Sequence, residues 1–138
     1  MDFTRRETLA LGGAAALTFV LPFRASAAAD DAIAEFTGGA AIADAGVELT
    51  APEIAENGNT VPIAVSAPGA TAVMVLASGN PTPGVATFNF GPLAASQTAS
   101  TRMRLAGTQD VIAIAKLADG SFARSSKTVK VTIGGCGG

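Results

Sequence analysis

The sequence predicts an all-β fold, a β-sandwich with a short N-terminal helix and a glycine-rich C-terminal arm. Two observations predict it. Apolar and polar residues alternate with a period of two at 61–66 and 128–133. From residue 57 onward, Gly, Pro, Asn and Asp also break the chain into short segments at intervals of about ten residues, the spacing of strands in a sandwich.

The first segment, residues 1–27, reads as an export signal rather than as part of the fold. Arg5 and Arg6 precede an apolar stretch at 9–21, and Ala25-Ser26-Ala27 supplies the small residues of a cleavage site. This is the layout of a twin-arginine signal peptide. The apolar run falls well short of the roughly 20 residues of a spanning helix, and Pro22 and Arg24 close it. Cleavage after Ala27 would leave 111 residues with nine acidic and six basic side chains, a mildly acidic protein of the periplasm. The twin-arginine route carries folded proteins, so the signal points to assembly with a partner before export.

Residues 28–46 read as a helix followed by a linker. Asp30 and Asp31 are placed to cap a short helix over 32–36, Ile33 and Phe36 share one face, and Gly38-Gly39 stops it. That stripe suits either this chain's own sandwich or a partner.

Residues 47–133 form the expected sandwich. Val61, Ile63 and Val65 alternate with Pro62, Ala64 and Ser66, and Val129, Val131 and Ile133 alternate with Thr128, Lys130 and Thr132. Between them lie strand candidates at 72–77, 85–90, 101–105 and 111–117, the last nearly all apolar. They are separated by Asn57-Gly58-Asn59, Ala67-Pro68-Gly69, Gly79-Asn80-Pro81, Ala106-Gly107 and Asp119-Gly120. Asp119-Gly120 is the clearest hairpin turn, since both residue types tolerate positive φ. With no Trp, no Tyr and a single Cys, the disulfide hallmarks of antibody domains are excluded.

Composition narrows the chemistry. The 138 residues carry nine basic and eleven acidic groups, a formal charge of -2, which argues against nucleic acid as a partner. There is no His, so neither a His-activated nucleophile nor a His/Cys zinc cluster can be built. No metal and no cofactor are expected. Glu53 and Glu56 form a possible carboxylate pair but read as solvent-facing loop groups. Arg102 and Arg104, two apart on a strand, share a face that is either solvated or suited to an acidic partner or an anionic intermediate.

Cys136 stands out. It is the one thiol of the sequence, and it lies in the run Gly134-Gly135-Cys136-Gly137-Gly138 directly after the last strand. Glycine permits φ of either sign and adds no side-chain bulk, so the run reads as a flexible arm. At about 3.3–3.6 Å per residue, the five-residue run is expected to reach up to roughly 17 Å from the strand end. An unpaired Cys in an exported protein signals an intermolecular bond or a reactive thiol. The tail contains nothing that lowers the thiol from its ordinary pKa of about 8.5. An enzyme needs its nucleophile poised by neighbours, whereas a carrier needs only a bond made and broken in other proteins' active sites. The carrier reading is favoured over two rivals: an interaction module that cross-links through Cys136, and a thiol enzyme whose tail folds back onto Lys116, Lys127 or Lys130.

Four segments carry a family resemblance: Ala55-Glu56-Asn57-Gly58-Asn59-Thr60-Val61-Pro62, Ser100-Thr101-Arg102-Met103-Arg104-Leu105-Ala106, Ala113-Ile114-Ala115-Lys116-Leu117-Ala118-Asp119-Gly120-Ser121, and 129–138 with its Gly-Gly-Cys-Gly-Gly ending. The chain resembles the SoxY family, sulfur-carrier subunits of the thiosulfate-oxidising Sox system. The resemblance implies an immunoglobulin-like sandwich, a heterodimer with SoxZ, and Cys136 as the point of covalent sulfur attachment. It further implies transient contacts with the SoxAX cytochrome, the SoxB hydrolase and the SoxCD dehydrogenase. On this reading the redox cofactors belong to those partners, and the chain itself is not an enzyme.

Overall fold

The structure, a computed structural model, describes residues 24–134. The expected signal residues Arg5 and Arg6, and Gly135, Cys136, Gly137 and Gly138 of the arm, lie outside the described residues.

Helix α1 (Arg24–Thr37) opens the described chain. It is longer than the helix expected over 32–36, and Asp30 and Asp31 are exposed residues of its interior rather than caps. The reason is propensity. Ala27, Ala28 and Ala29 are the best helix formers, and they carry the helix N-terminally past the two aspartates. The end is as expected. Gly38 and Gly39 take φ of 65° and 82°, Thr37 Oγ1 donates to the Ile33 carbonyl at 2.9 Å, and the Gly39 N–H donates to Thr37 Oγ1 at 3.3 Å.

Nine strands follow: β1 (Ile42–Ala43), β2 (Glu48–Thr50), β3 (Ile54–Asn57), β4 (Val61–Ser66), β5 (Ala70–Ala77), β6 (Gly84–Asn89), β7 (Thr98–Met103), β8 (Gln109–Leu117) and β9 (Phe122–Ile133). They form two layers. The larger sheet runs β1-β9-β8-β5-β6, with β3 also pairing in parallel with β9, and the smaller runs β2-β4-β7. The fold is an immunoglobulin-like β-sandwich with one short N-terminal helix.

Three short strands escape the sequence pattern. The stretch expected to be a linker contributes β1, which pairs with Phe122 and Ala123 of β9. Strand β3, expected as loop, pairs Ile54 with Lys130 and Asn57 with Ile133. Strand β2 closes the edge of the smaller sheet through Leu49 opposite Val65. None is long enough for alternation to show, and each depends on partners distant in sequence.

Strand β9 extends well N-terminal of the expected 128–133. Arg124, Ser125, Ser126 and Lys127 lack apolar alternation, yet they pair residue by residue with Ile114, Ala113, Ile112 and Val111. Pairing with a strongly apolar strand overrides their weak local preference. Strand β4 behaves as read, with Val61, Ile63 and Val65 buried. Pro62 is tolerated in this central strand because β2 reaches only as far as Ala64, leaving one backbone edge of Pro62 without a strand neighbour.

Two turns show their chemistry. In Ala67-Pro68-Gly69-Ala70 the Ala70 N–H bonds the Ala67 carbonyl at 3.0 Å and Gly69 has φ 79°, a type II turn with Pro first and Gly second. The β8–β9 connection is a three-residue loop in which only Gly120 takes positive φ (85°), so Asp119 is not the second left-handed residue expected. The Gly120 N–H bonds the Leu117 carbonyl at 3.0 Å and the Leu117 N–H bonds the Ser121 carbonyl at 2.8 Å, the pattern of a type I turn followed by a glycine bulge.

The main core lies between the sheets, with Leu49, Val61, Ile63, Val73, Val75, Leu105, Val111 and Val129 at its centre. A second cluster covers the outer face of the larger sheet, where Ile33 of α1 packs with Met74, Leu76, Ile112, Ile114 and Phe122. Phe36 meets Phe122 edge-on at 5.9 Å. The helix stripe therefore sits on this chain's own sandwich. The same packing explains why β5 and β8 are apolar on both faces.

Candidate functional site

The site begins where β9 stops. Its last residues are tied on both sides: the Lys130 N–H donates to the Glu53 carbonyl at 2.9 Å, the Val131 N–H to Thr108 Oγ1 at 3.0 Å, and the Gly58 N–H to the Ile133 carbonyl at 2.7 Å. Gly58 sits in the Asn57-Gly58-Asn59 turn, closed by the Asn59 N–H donating to Asn57 Oδ1 at 3.0 Å. The Gly58 carbonyl in turn accepts the Leu105 N–H at 2.8 Å. One glycine thus links the end of β9 to the segment that follows β7.

That segment, residues 104–107, is held from beneath by Asn80, which is buried. Asn80 Nδ2 donates to the Arg104 carbonyl at 2.8 Å, while Asn80 Oδ1 accepts the Ala106 N–H at 2.9 Å and Gln109 Nε2 at 2.8 Å. Gln109 Nε2 also donates to the Gly107 carbonyl at 3.0 Å, and Gln109 Oε1 accepts the Gly79 N–H at 2.8 Å. Both polar side chains are satisfied, as a buried network requires. The sequence shows Asn80 only as a turn residue between Gly79 and Pro81, and nothing in that context marks it as buried.

Gly134 rests on this segment. A Cβ at position 134 would lie far inside contact distance of the Ala106 carbonyl oxygen and 3.1 Å from the Ala106 carbonyl carbon.

Arg102 and Arg104 are exposed and lie at this end of the sandwich. Arg102 Nη1 donates to Thr60 Oγ1 at 3.3 Å, and Arg104 directly precedes Leu105. Glu56 lies on β3 and Glu53 just before it, both exposed. Depressions on the outer face of the smaller sheet are lined by Glu48, Thr50, Ala64, Ser66 and Ser100 and bring no acid–base pair together. Among the described residues, no group of three His, Cys, Asp or Glu is placed to hold a metal ion. No helix among them is long and apolar enough to cross a membrane.

Residues 33–136 match the family described as sulfur oxidation protein SoxY, a match that runs through Cys136. The structure is similar to that of the sulfur carrier protein SoxY from Chlorobium limicola f thiosulfatophilum, with 37% sequence identity over 78% of this chain and 98% of the other at a TM-score of 0.68. It also resembles a superoxide reductase (neelaredoxin) from Ignicoccus hospitalis, with 17% identity over 63% of this chain and 80% of that one at a TM-score of 0.56, a likeness of fold alone. Among curated proteins, none matches.

Proposed function

The chain belongs to the SoxY family, a sulfur carrier of Sox sulfur oxidation and not a catalyst, and we propose that it carries sulfur on Cys136. The observation that carries this assignment is the family match, which extends through the only thiol in the sequence. The flanking glycines support it, because a cargo sulfur that must enter several enzymes in turn needs a slim tether more than a preorganised pocket.

In the proposed cycle, the SoxAX cytochrome couples the Cys136 thiol to thiosulfate. A sulfur–sulfur bond forms, one proton leaves, and two electrons pass to the cytochrome, giving a cysteine S-thiosulfonate. The SoxB hydrolase then adds water across the bond to the terminal sulfone group, releasing sulfate and leaving the sulfane sulfur on Cys136. Where the SoxCD dehydrogenase is present, it accepts six electrons from that sulfur as three oxygens are added from water, and a second hydrolysis releases sulfate and restores the thiol. Arg102 and Arg104 offer positive charge at the arm's end of the sandwich, suited to an anionic adduct or to an acidic partner surface.

The partner proposed for stable pairing is SoxZ. The Arg5-Arg6 signal supports export of the assembled pair by the twin-arginine route to the periplasm.

The test is Cys136→Ser in the complete thiosulfate-oxidising system. Sulfate formation through this protein is expected to fall to background, and the variant should melt like the parent because the core is built from residues of the sandwich. Undiminished turnover by the variant would overturn the assignment to Cys136. A reductant-sensitive dimer with no sulfur adduct would favour the rival in which the thiol only cross-links.

A further inference from the structure

We propose that Gly134 is a fixed seat at the root of the arm, and that Asn80 and Gln109 are positioning residues for that seat. The inference rests on the reading of Cys136 as the point of sulfur attachment.

The glycine at 134 is required for a reason different from conformational freedom. Positive φ is found at Gly38, Gly39, Gly46, Gly69 and Gly120, and Gly134 is not in that group. What it requires is room: any Cβ would collide with the backbone carbonyl of Ala106. A flexible side chain in the way would swing aside, but a main-chain carbonyl does so only if its segment moves.

That segment is held at four consecutive residues. The Arg104 carbonyl is taken by Asn80 Nδ2, the Leu105 N–H by the Gly58 carbonyl, the Ala106 N–H by Asn80 Oδ1 and the Gly107 carbonyl by Gln109 Nε2. The Leu105 side chain is fully buried in the core. On the other side of the contact, the Ile133 carbonyl is held by the Gly58 N–H. The strand end and the surface it rests on are thus tied to each other through Gly58.

Two consequences follow for carrying. With Gly134 held, the backbone from Gly134 to Cys136 can span at most about 7 Å, against roughly 10 Å for a run free from Ile133 onward. A partner enzyme must therefore bring its reacting centre close to this end of the sandwich. A fixed root also confines the thiol to a small volume, which raises its effective concentration at a docked partner.

The experiment uses the full chain in its complex and has two arms. In the unmodified protein, backbone ¹⁵N order parameters are expected near ~0.8 at Gly134, with a step below about 0.6 from Gly135 onward. Equal mobility at Gly134 and Gly137 would overturn the inference without any variant being made. In the second arm, Gly134→Ala is compared with Gly135→Ala for thiosulfate-dependent loading of Cys136, followed by mass, with alkylation by iodoacetamide as a control for the bare thiol. Gly134→Ala should load at least tenfold more slowly while its alkylation rate stays within twofold of the parent, and Gly135→Ala should load almost normally. Equal loading by the two variants would contradict the fixed seat. Absence of any Cys136 adduct in the parent would instead refute the attachment reading on which the seat depends.

Discussion

Asn80 and Asp119 are both turn residues, and they do opposite things. Asn80 turns inward and uses its amide on two backbone groups of the loop below the arm and on the Gln109 side chain, whereas Asp119 stays exposed and closes its own hairpin. Asp119 Oδ1 accepts the Ser121 hydroxyl at 2.5 Å and the Ser121 N–H at 2.9 Å. These bonds, the side-chain one first, hold its carboxyl below the ordinary value of 3.8. A carboxylate with a lowered folded-state pKa favours the folded state above its unfolded pKa, and that contribution is lost as pH falls through the folded value. An NMR titration should therefore find the Asp119 midpoint below that of an unstructured peptide, with the Ser121 amide shift following it. A midpoint at or above the peptide value would contradict the hydrogen bonds.

The two residues also show what a linear reading reaches. Asp119-Gly120 is legible as a turn because its function is local, although only Gly120 needs the left-handed conformation. Asn80 is not legible, because its partners at 104, 106 and 109 are brought to it by the fold. Cys136 is visible from composition alone. The contact beneath Gly134 is not, since nothing near residue 106 in the sequence points to residue 134.

At the scale of elements, periodicity is informative where one face is buried and silent elsewhere. Strand β4 alternates and is legible as a strand, while the polar middle of β9 is a strand only because β8 lies beside it. The start of the helix is misleading because Asp30 and Asp31 resemble caps, yet the alanines before them propagate the helix. Its apolar stripe is plain in the sequence, and the fold decides what it covers. Ile33→Ala removes a buried side chain from the cluster over the larger sheet and should cost about 2 kcal/mol, at the low end for such truncations because the helix lies at the surface. Urea unfolding of the variant checks this. A change under about 0.5 kcal/mol, the scale of ordinary surface substitutions, would mean that the helix is not docked on the sheet in solution.

For the molecule as a whole, the proposed division of labour is between a body and a tether. The sandwich buries its own core, covers one outer sheet face with α1, and assembles no acid–base or metal-binding group among the described residues. Its proposed contribution to carrying is to hold the root of the arm at one defined place and leave the chemistry to the enzymes that visit it. That division fits family membership as a non-catalytic carrier. On the proposed boundaries, residues 1–27 serve export, the sandwich and the helix from residue 28 onward give support, and the arm at 134–138, rooted at Gly134, carries cargo.

Covalent carrying on Cys136 is checked most simply by the intact mass of the protein from thiosulfate-oxidising cells, before and after reductant, with fragmentation to locate any added mass. Sulfur-containing adducts on Cys136 that disappear on reduction are expected. Unmodified thiol alone, or a plain disulfide-linked dimer, in cells actively oxidising thiosulfate would contradict a carrier role for this residue.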